Sequence, residues 1–380
     1  MQLKYFTFHP SVYPRMVGGS SPGTRAGGPV HVYDKEGHYF GAGFFNPSAR
    51  VPLRMFHHGS QPPPADLLEA RLREAVALRG DLLGPDAAEA CRLVHSDGDL
   101  VPGLVVDRYA EVLSIEVTTL GAWRLLPDWI PLLKEATGAA KARVQVDPEI
   151  ARIERIPSTP MPGDDVRTAK FSEHGIRYEV DFTKGHKTGF FCDQRDNRRR
   201  LGQWTHGRRV LDLCCYTGGF ALAAKVLGRS PGVTAVDLDE EAIAQARRNM
   251  NLNQTRLQLV HADAFTYLRQ MIRNGATWPV VAVDPPKFVF SRDGMDEGLA
   301  KYHDLNCLAL RVAEPGGLFV TCSCSGQVTA EAFEAVVIKA AHRAGRRLQI
   351  LDRTGAGPDH PVLSNCPESR YLKVLWAKVI

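Results

Sequence analysis

Two cysteines separated by one serine, Cys322-Ser323-Cys324, close the apolar run Leu318-Phe319-Val320-Thr321, and Ser325-Gly326 follows. A thiolate is intrinsically very nucleophilic and suits addition to an electron-poor ring. A pyrimidine needs such help. C5 of cytosine is too weak a nucleophile alone, and thiolate addition at C6 makes it enamine-like. A second apolar run, Val280-Val281-Ala282-Val283, ends in Asp284-Pro285-Pro286-Lys287. A carboxyl there can hydrogen-bond the amino or N3 edge of a flipped cytosine. More acids stand at the ends of similar runs: Asp212 ahead of Cys214-Cys215-Tyr216-Thr217-Gly218-Gly219, Asp237 after Val233-Thr234-Ala235-Val236, and Asp263 after Leu259-Val260-His261-Ala262. A strand, a Gly-Gly turn and a helix make a nucleotide-type cofactor site, because glycine lets the backbone approach a ligand closely. Asp212 would repel a pyrophosphate. It suits a cationic ligand, such as the ammonium and sulfonium of S-adenosylmethionine. Asp237 follows the turn by about twenty residues, the spacing of an acid that grips a ribose diol. Asp263 stands where an adenine amino group would be read.

The elements that must carry these residues are short strands alternating with helices from about Val210 onward. That alternation indicates a doubly wound parallel sheet, which binds ligands at the C-terminal ends of its strands. Cys322 reads as core packing, and Cys214 and Cys215 as packing beneath the cofactor. Cys322 and Cys324 also resemble half a zinc site. No second cysteine pair stands at a suitable spacing, so no metal is expected.

The 380 residues are too many for one core and indicate two or three domains. A small β module comes first, with strands at Val30-His31-Val32-Tyr33, at residues 39–45 and at residues 50–56; Pro62-Pro63-Pro64 closes it. Residues 18–28 are rich in Gly, Ser and Pro and read as a loop. An α+β unit follows, with helices over residues 65–79 and 123–136, strands over 91–95, 103–107, 112–118 and 142–146, and a hairpin at 173–180. The net charge of +5 hides basic clusters at Arg195, Arg198, Arg199, Arg200, Arg208 and Arg209, and at Lys339, His342, Arg343, Arg346 and Arg347. Such clusters suit a polyanion such as RNA or, equally, a solvated helix face. No apolar run approaches the roughly 18 residues of a membrane helix. With no apolar signal core at the start and eight scattered cysteines, a cytoplasmic protein with free thiols is expected.

The stretch from Gly185 through Gly189-Phe190-Phe191-Cys192-Asp193-Gln194-Arg195-Asp196-Asn197-Arg198 resembles the entry motif of the class I methyltransferases that make 5-methylcytosine in 23S ribosomal RNA, the RlmI-type group. So do Tyr216-Thr217-Gly218-Gly219-Phe220, Asp284-Pro285-Pro286-Lys287-Phe288, Tyr302-His303-Asp304-Leu305-Asn306, Ser323-Cys324-Ser325-Gly326, Asp359-His360-Pro361 and Tyr371-Leu372-Lys373. The motifs occur in family order over residues 184–380. The family's His-Pro-Trp-Val-Phe stretch reads His9-Pro10-Ser11-Val12-Tyr13 here, with Ser11 in place of Trp.

The resemblance implies an α/β protein with a PUA-like RNA-binding module over 1–62, a central α+β domain over 65–182 and a Rossmann-like methyltransferase domain over 183–380. It implies S-adenosylmethionine as donor, ribosomal RNA as partner and Cys324 as nucleophile. Asp212, Tyr216, Thr217, Gly218, Asp237, Asp263 and Gln194 are then expected at the donor, Asp284 beside Cys324, and Arg195, Arg198, Lys287 and His360 toward the RNA. Gln194 and Arg198 complete the donor pocket or meet the RNA, with a solvated helix residue as the alternative for Arg198, and Asp-His-Pro also makes an ordinary turn. The base that removes the C5 proton is water or Asp284. Alternatives are methylation of another position such as guanine N7, which needs no thiol, and a non-catalytic RNA-binding or ribosome-assembly protein. Homodimerisation stays open.

Overall fold

The structure, a computed structural model, describes residues 1–5, 7–157, 161–184 and 188–380. The opening Gly185-His186-Lys187 of the entry motif lies outside the described residues. The chain forms two compact units, Met1–Phe171 with His186–Cys192 and Pro358–Ser369, and Ser172–Gly185 with Asp193–Gly357 and Arg370–Ile380.

In the first unit a six-stranded sheet uses strands between residues 2 and 58, and a four-stranded sheet uses strands between residues 90 and 145. The expected strand over residues 39–45 is observed as Tyr39–Phe45. Its Gly37 corner has φ +90°, which glycine adopts without strain. The loop expected at residues 18–28 begins as a short strand, Val17–Gly19, paired with Gln2–Leu3. The two expected helices run longer than their apolar spacing suggests, Leu67–Leu83 and Leu120–Thr137. The second starts early because the Thr119 side chain caps it, accepting from the Ala122 N–H at 3.2 Å. Phe44 and Phe56 share one core with Leu68, Leu72, Leu120 and Trp129. The first sheet also has a core of its own, with Leu3, Val12, Val32, Phe40, Leu53 and Met55.

The second unit carries the doubly wound sheet. Its strands are β1 (Val210–Leu213), β2 (Val233–Asp237), β3 (Gln258–His261), β4 (Trp278–Val283), β5 (Ala313–Ser323), β6 (Leu348–Thr354) and β7 (Lys373–Val379), in the order β3-β2-β1-β4-β5-β7-β6. β7 is antiparallel to both neighbours, and β1 to β5 are parallel. Helices α1 (Arg195–Thr205), α2 (Gly219–Val226), α3 (Glu240–Leu252), α4 (Ala264–Arg273), α5 (Met295–Val312) and α6 (Ala330–Arg343) cover its two faces. That is why the strands read as unbroken apolar runs. Side-chain alternation sorts the cores: Val210, Val280, Ala282, Val320 and Cys322 pack with Leu201, Phe220 and Ala221, while Leu211, Leu213, Val281, Val283 and Phe319 pack with Leu268, Leu305 and Phe333.

Register brings the strand ends level. Leu213 pairs with Val236 and with Val283, and Val283 pairs with Thr321. The next residues, Cys214, Asp237, Asp284 and Cys322, therefore lie along one edge, where the strand order reverses between β1 and β4. Among the described residues no helix is long and apolar enough to cross a membrane.

Candidate active site

The loop after β1 is tightly wound. Cys214, Tyr216 and Gly218 all have positive φ, at 58°, 48° and 84°. Such backbone costs energy at non-glycine residues and persists where its surroundings hold it. Here Asp237 holds it: the Tyr216 N–H donates to Asp237 Oδ2 at 2.7 Å, and the Asp239 N–H donates to Oδ1 at 2.9 Å. A carboxylate has about four acceptor sites, so capacity for a diol remains. Asn249 donates to the Thr217 carbonyl at 3.1 Å, and the buried Thr217 hydroxyl has no hydrogen-bond partner among the described residues. A Cβ on Gly219 would stand 2.8 Å from Cδ of Arg198, so α2 can start there only with glycine. Asp263 caps α4, its Oδ1 accepting from the Thr266 N–H and hydroxyl at 2.8 and 2.9 Å.

Sequence alone offers Arg198 to the donor pocket, the RNA or solvent. The structure forks its guanidinium onto Glu173 at 2.7 and 2.6 Å, with the two side chains only 4% and 2% exposed. Arg198 therefore presents nothing to a solvated face, yet lies near enough to Asp284 to favour its charged form. Arg195 is also buried, and its Nε and Nη1 have no hydrogen-bond partner among the described residues.

Beneath the loop the acids crowd. Asp212 is fully buried; its Oδ2 accepts from the Ala221 N–H at 2.8 Å, and its Oδ1 has no hydrogen-bond partner among the described residues. Burial, then Asp284 and Asp237, push its carboxyl well above the usual range. Burial, then Asp193, push Asp284 up to about 7, opposed by hydrogen bonds from Gln194 and Cys322 and by Arg198. Crowded, desolvated carboxyls must hold protons or take a cation. The orphaned Asp212 oxygen and this concentration of negative charge fit a ligand with a sulfonium and an ammonium.

A pH dependence follows. Asp284 is protonated below about 7 and ionised above it, and a cationic ligand favours the ionised form. Taking up the cation below that pH releases a proton, so S-adenosylmethionine binding should tighten by up to about tenfold per unit as pH rises from 5.5 to 7. S-adenosylhomocysteine lacks the sulfonium charge and should tighten less. Calorimetric titration of both across that range checks this, and equal slopes would contradict it.

Sequence alone places Asp284 beside Cys324 and treats Cys322 as packing. The structure packs Cys322 in the core as expected and also sets its thiol and the Gln194 side chain against Asp284. The reason is register, since Asp284 and Cys322 are the residues next to the paired Val283 and Thr321. Burial, then Asp284, hold Cys322 well above the usual thiol range, and it is 1% exposed. Cys324 lies just beyond the end of β5 and is half-buried. The serines on each side fix it: Tyr302 Oη on α5 accepts from Ser323 Oγ at 3.0 Å and shares a bond with Ser325 Oγ at 2.9 Å, while the Val289 N–H donates to Ser325 Oγ at 3.2 Å. Tyr371 Oη donates to Asp193 Oδ2 at 2.6 Å, and Lys373 Nζ donates to the carbonyls of Ser325 and Tyr371. Tyr302, Tyr371 and Lys373 carried a signal only as members of motifs, and Glu173 carried none.

Lys287 lies with its ammonium 5.5 Å from the ring centroid of the exposed Phe290. His360 belongs to the first unit. Its Nδ1 is 3.0 Å from Asp359 Oδ1, and its ring is 5.0 Å from that of His95. Its Nε2 is buried with no hydrogen-bond partner among the described residues. Also in the first unit, His9, Cys366 and Glu368 bring ligand-type atoms within 4.8 Å of one another. Burial, then Asp97 and Glu368, raise the Cys366 thiol to about 11, so a metal would have to displace its proton.

The chain matches the family described as S-adenosylmethionine-dependent methyltransferase over residues 139–373 and a PUA-like domain over residues 4–58. It is 35% identical over 378 residues to the ribosomal RNA large subunit methyltransferase I of Shewanella frigidimarina, covering 96% of this chain and 92% of that one. The protein of the same name from Tolumonas auensis is 32% identical over 382 residues, covering 98% and 96%. The crystal structure of SMU.776 complexed with S-adenosylhomocysteine shares the fold with a TM-score of 0.82, at 21% identity over 98% of this chain and 96% of that one. With the doubly wound sheet, the acid-rich loop and the N-terminal β sheet in place, the chain belongs to the S-adenosylmethionine-dependent methyltransferase family, in a form that carries an N-terminal PUA-like domain.

Proposed function

We propose that this protein methylates C5 of a cytosine in large-subunit (23S) ribosomal RNA through a covalent adduct on Cys324. The large-subunit RNA is supported by relatives named as ribosomal RNA large subunit methyltransferases. One observation carries the choice of C5: a half-buried thiol stands beside the donor edge, its flanking serines anchored on Tyr302, while the neighbouring Cys322 is locked as a buried thiol on Asp284. A ring nitrogen is already nucleophilic and needs no such residue.

When bound, S-adenosylmethionine supplies a methyl group and keeps the broken bond's electron pair as S-adenosylhomocysteine. Asp212, Tyr216, Thr217, Gly218, Asp237, Asp263 and Gln194 are the residues proposed to hold it. Cys324 thiolate forms a bond to C6, and the displaced π pair gives C5 its nucleophilic character. Asp284, titrating near 7, can give a proton to N3 as the adduct forms. After C5 is methylated, a base takes the C5 proton; that electron pair restores the C5–C6 double bond and expels the thiolate, and N3 returns its proton to Asp284. Lys287 and the PUA-like domain are the proposed RNA contacts, with Arg195. The three-domain division at 62/65 and 182/183 belongs to this proposal and is supported at its first boundary by the PUA-like match.

Asp284→Asn keeps the shape and loses the proton. Methyl transfer should fall about 10²- to 10⁴-fold in single-turnover measurements at saturating donor, while in calorimetric titration S-adenosylhomocysteine binds within a few-fold of wild type and S-adenosylmethionine binds more weakly and loses its rise between pH 5.5 and 7. The reading as a whole is tested by mapping 5-methylcytosine in ribosomal RNA from cells with and without the protein. One large-subunit cytosine should lose its mark. A methyl group lost from a guanine instead would overturn it.

A further inference from the structure

Lys373 is the partner of Ser323 across the antiparallel β5–β7 ladder, which brings it to the segment that carries Cys324. It is 6% exposed. A buried ammonium ordinarily sits on a carboxylate. Among the described residues Lys373 has no such ion pair: its hydrogen bonds go to two backbone carbonyls, Ser325 O at 2.6 Å and Tyr371 O at 2.8 Å. An ammonium has three N–H donors, so one is left. Burial pulls Lys373 down to about 8, Cys324 acts in the opposite direction by favouring the charged form, and Lys287 repels it.

Among the described residues, Tyr302 and Cys322 do not compete for that charge. Tyr302 is raised by burial and tied to Ser323 and Ser325, and Cys322 is held as a thiol by burial and Asp284. We propose that Lys373 turns its remaining N–H toward Cys324 and holds that sulfur as the thiolate. Lys373 is thus a positioning residue that acts through the nucleophile. The Cys324 proton leaves to solvent, the sulfur keeps the electron pair, and nothing is oxidised. The same ammonium receives the thiolate again when the methylated base is expelled. This rests on Cys324 as the nucleophile proposed above.

The test is the pH dependence of Cys324 alkylation by iodoacetamide in the full-length protein, read by peptide mass spectrometry. Wild-type Cys324 should titrate below the value of about 8.5 usual for a free cysteine. Lys373→Met should raise that midpoint by about one unit, slowing alkylation at pH 7 about tenfold, while Lys373→Arg restores most of it. The pH optimum of methyl transfer should move up with it, and S-adenosylmethionine binding should not change. A wild-type midpoint at or above the free value overturns the proposal even if Lys373→Met fails to fold. An unchanged midpoint in folded Lys373→Met also overturns it, leaving Lys373 as a tie between two carbonyls. A Lys373-dependent midpoint together with an active Cys324→Ala enzyme would instead sink the nucleophile and keep the lysine–thiolate pair.

Discussion

Replacing Cys324 with alanine should abolish methyl transfer to RNA and leave S-adenosylmethionine binding within a few-fold of wild type. Cytosine C5 cannot attack a methyl group without prior addition at C6, so no slower route through the same site remains. The donor groups do not depend on the thiol: Asp212 is held by Ala221, and Asp237 by Tyr216 and Asp239. Cys322→Ala is the informative comparison. It removes one hydrogen bond to Asp284 and a small buried group, so activity should fall but persist. Radiolabelled methyl transfer with calorimetry on both variants separates the outcomes. An active Cys324→Ala enzyme would favour a ring-nitrogen target.

Replacing Arg198 with methionine should destabilise the second unit by about 3–5 kcal/mol, because it strands the Glu173 carboxylate in a dry interior. Both side chains of that pair are under 5% exposed, and the bond is bidentate. Arg353→Met, which breaks the more exposed pair with Glu334, should cost no more than about 1 kcal/mol. Replacing Arg198 and Glu173 together by apolar residues should recover much of the loss, since no charge is then left unpaired. Urea unfolding of the four proteins checks this. An Arg198→Met cost as small as that of Arg353→Met would mean that solvent reaches the pair.

The donor edge was legible in the sequence because acids and glycines interrupt apolar runs at strand ends, and a parallel sheet aligns those ends. Two-residue strands such as Gln2–Leu3 and Ser11–Val12 show no period, so nothing marked them. Pairing was harder to see than placement. Cys322 read as packing and packs in the core, while its place against Asp284 depends on strand register. Arg198 read as a donor-pocket or RNA residue, and its pairing with Glu173 went unseen because that partner lies 25 residues earlier, outside the motif. Lys373 bonds a carbonyl 48 residues away, so its place beside Cys324 exists only once β5 and β7 are paired. His360 was visible only through its Asp-His-Pro motif, and its contacts with His95 and Asp359 come from the fold of the first unit.

The most direct test of the central claim is to incubate the protein and S-adenosylmethionine with large-subunit RNA carrying 5-fluorocytosine. Fluorine cannot leave as the C5 proton does, so the methylated adduct should persist. Mass spectrometry after digestion should find one nucleotide joined to the peptide that contains Cys324. Absence of a covalent species, with the methyl group recovered on another base, would contradict the account.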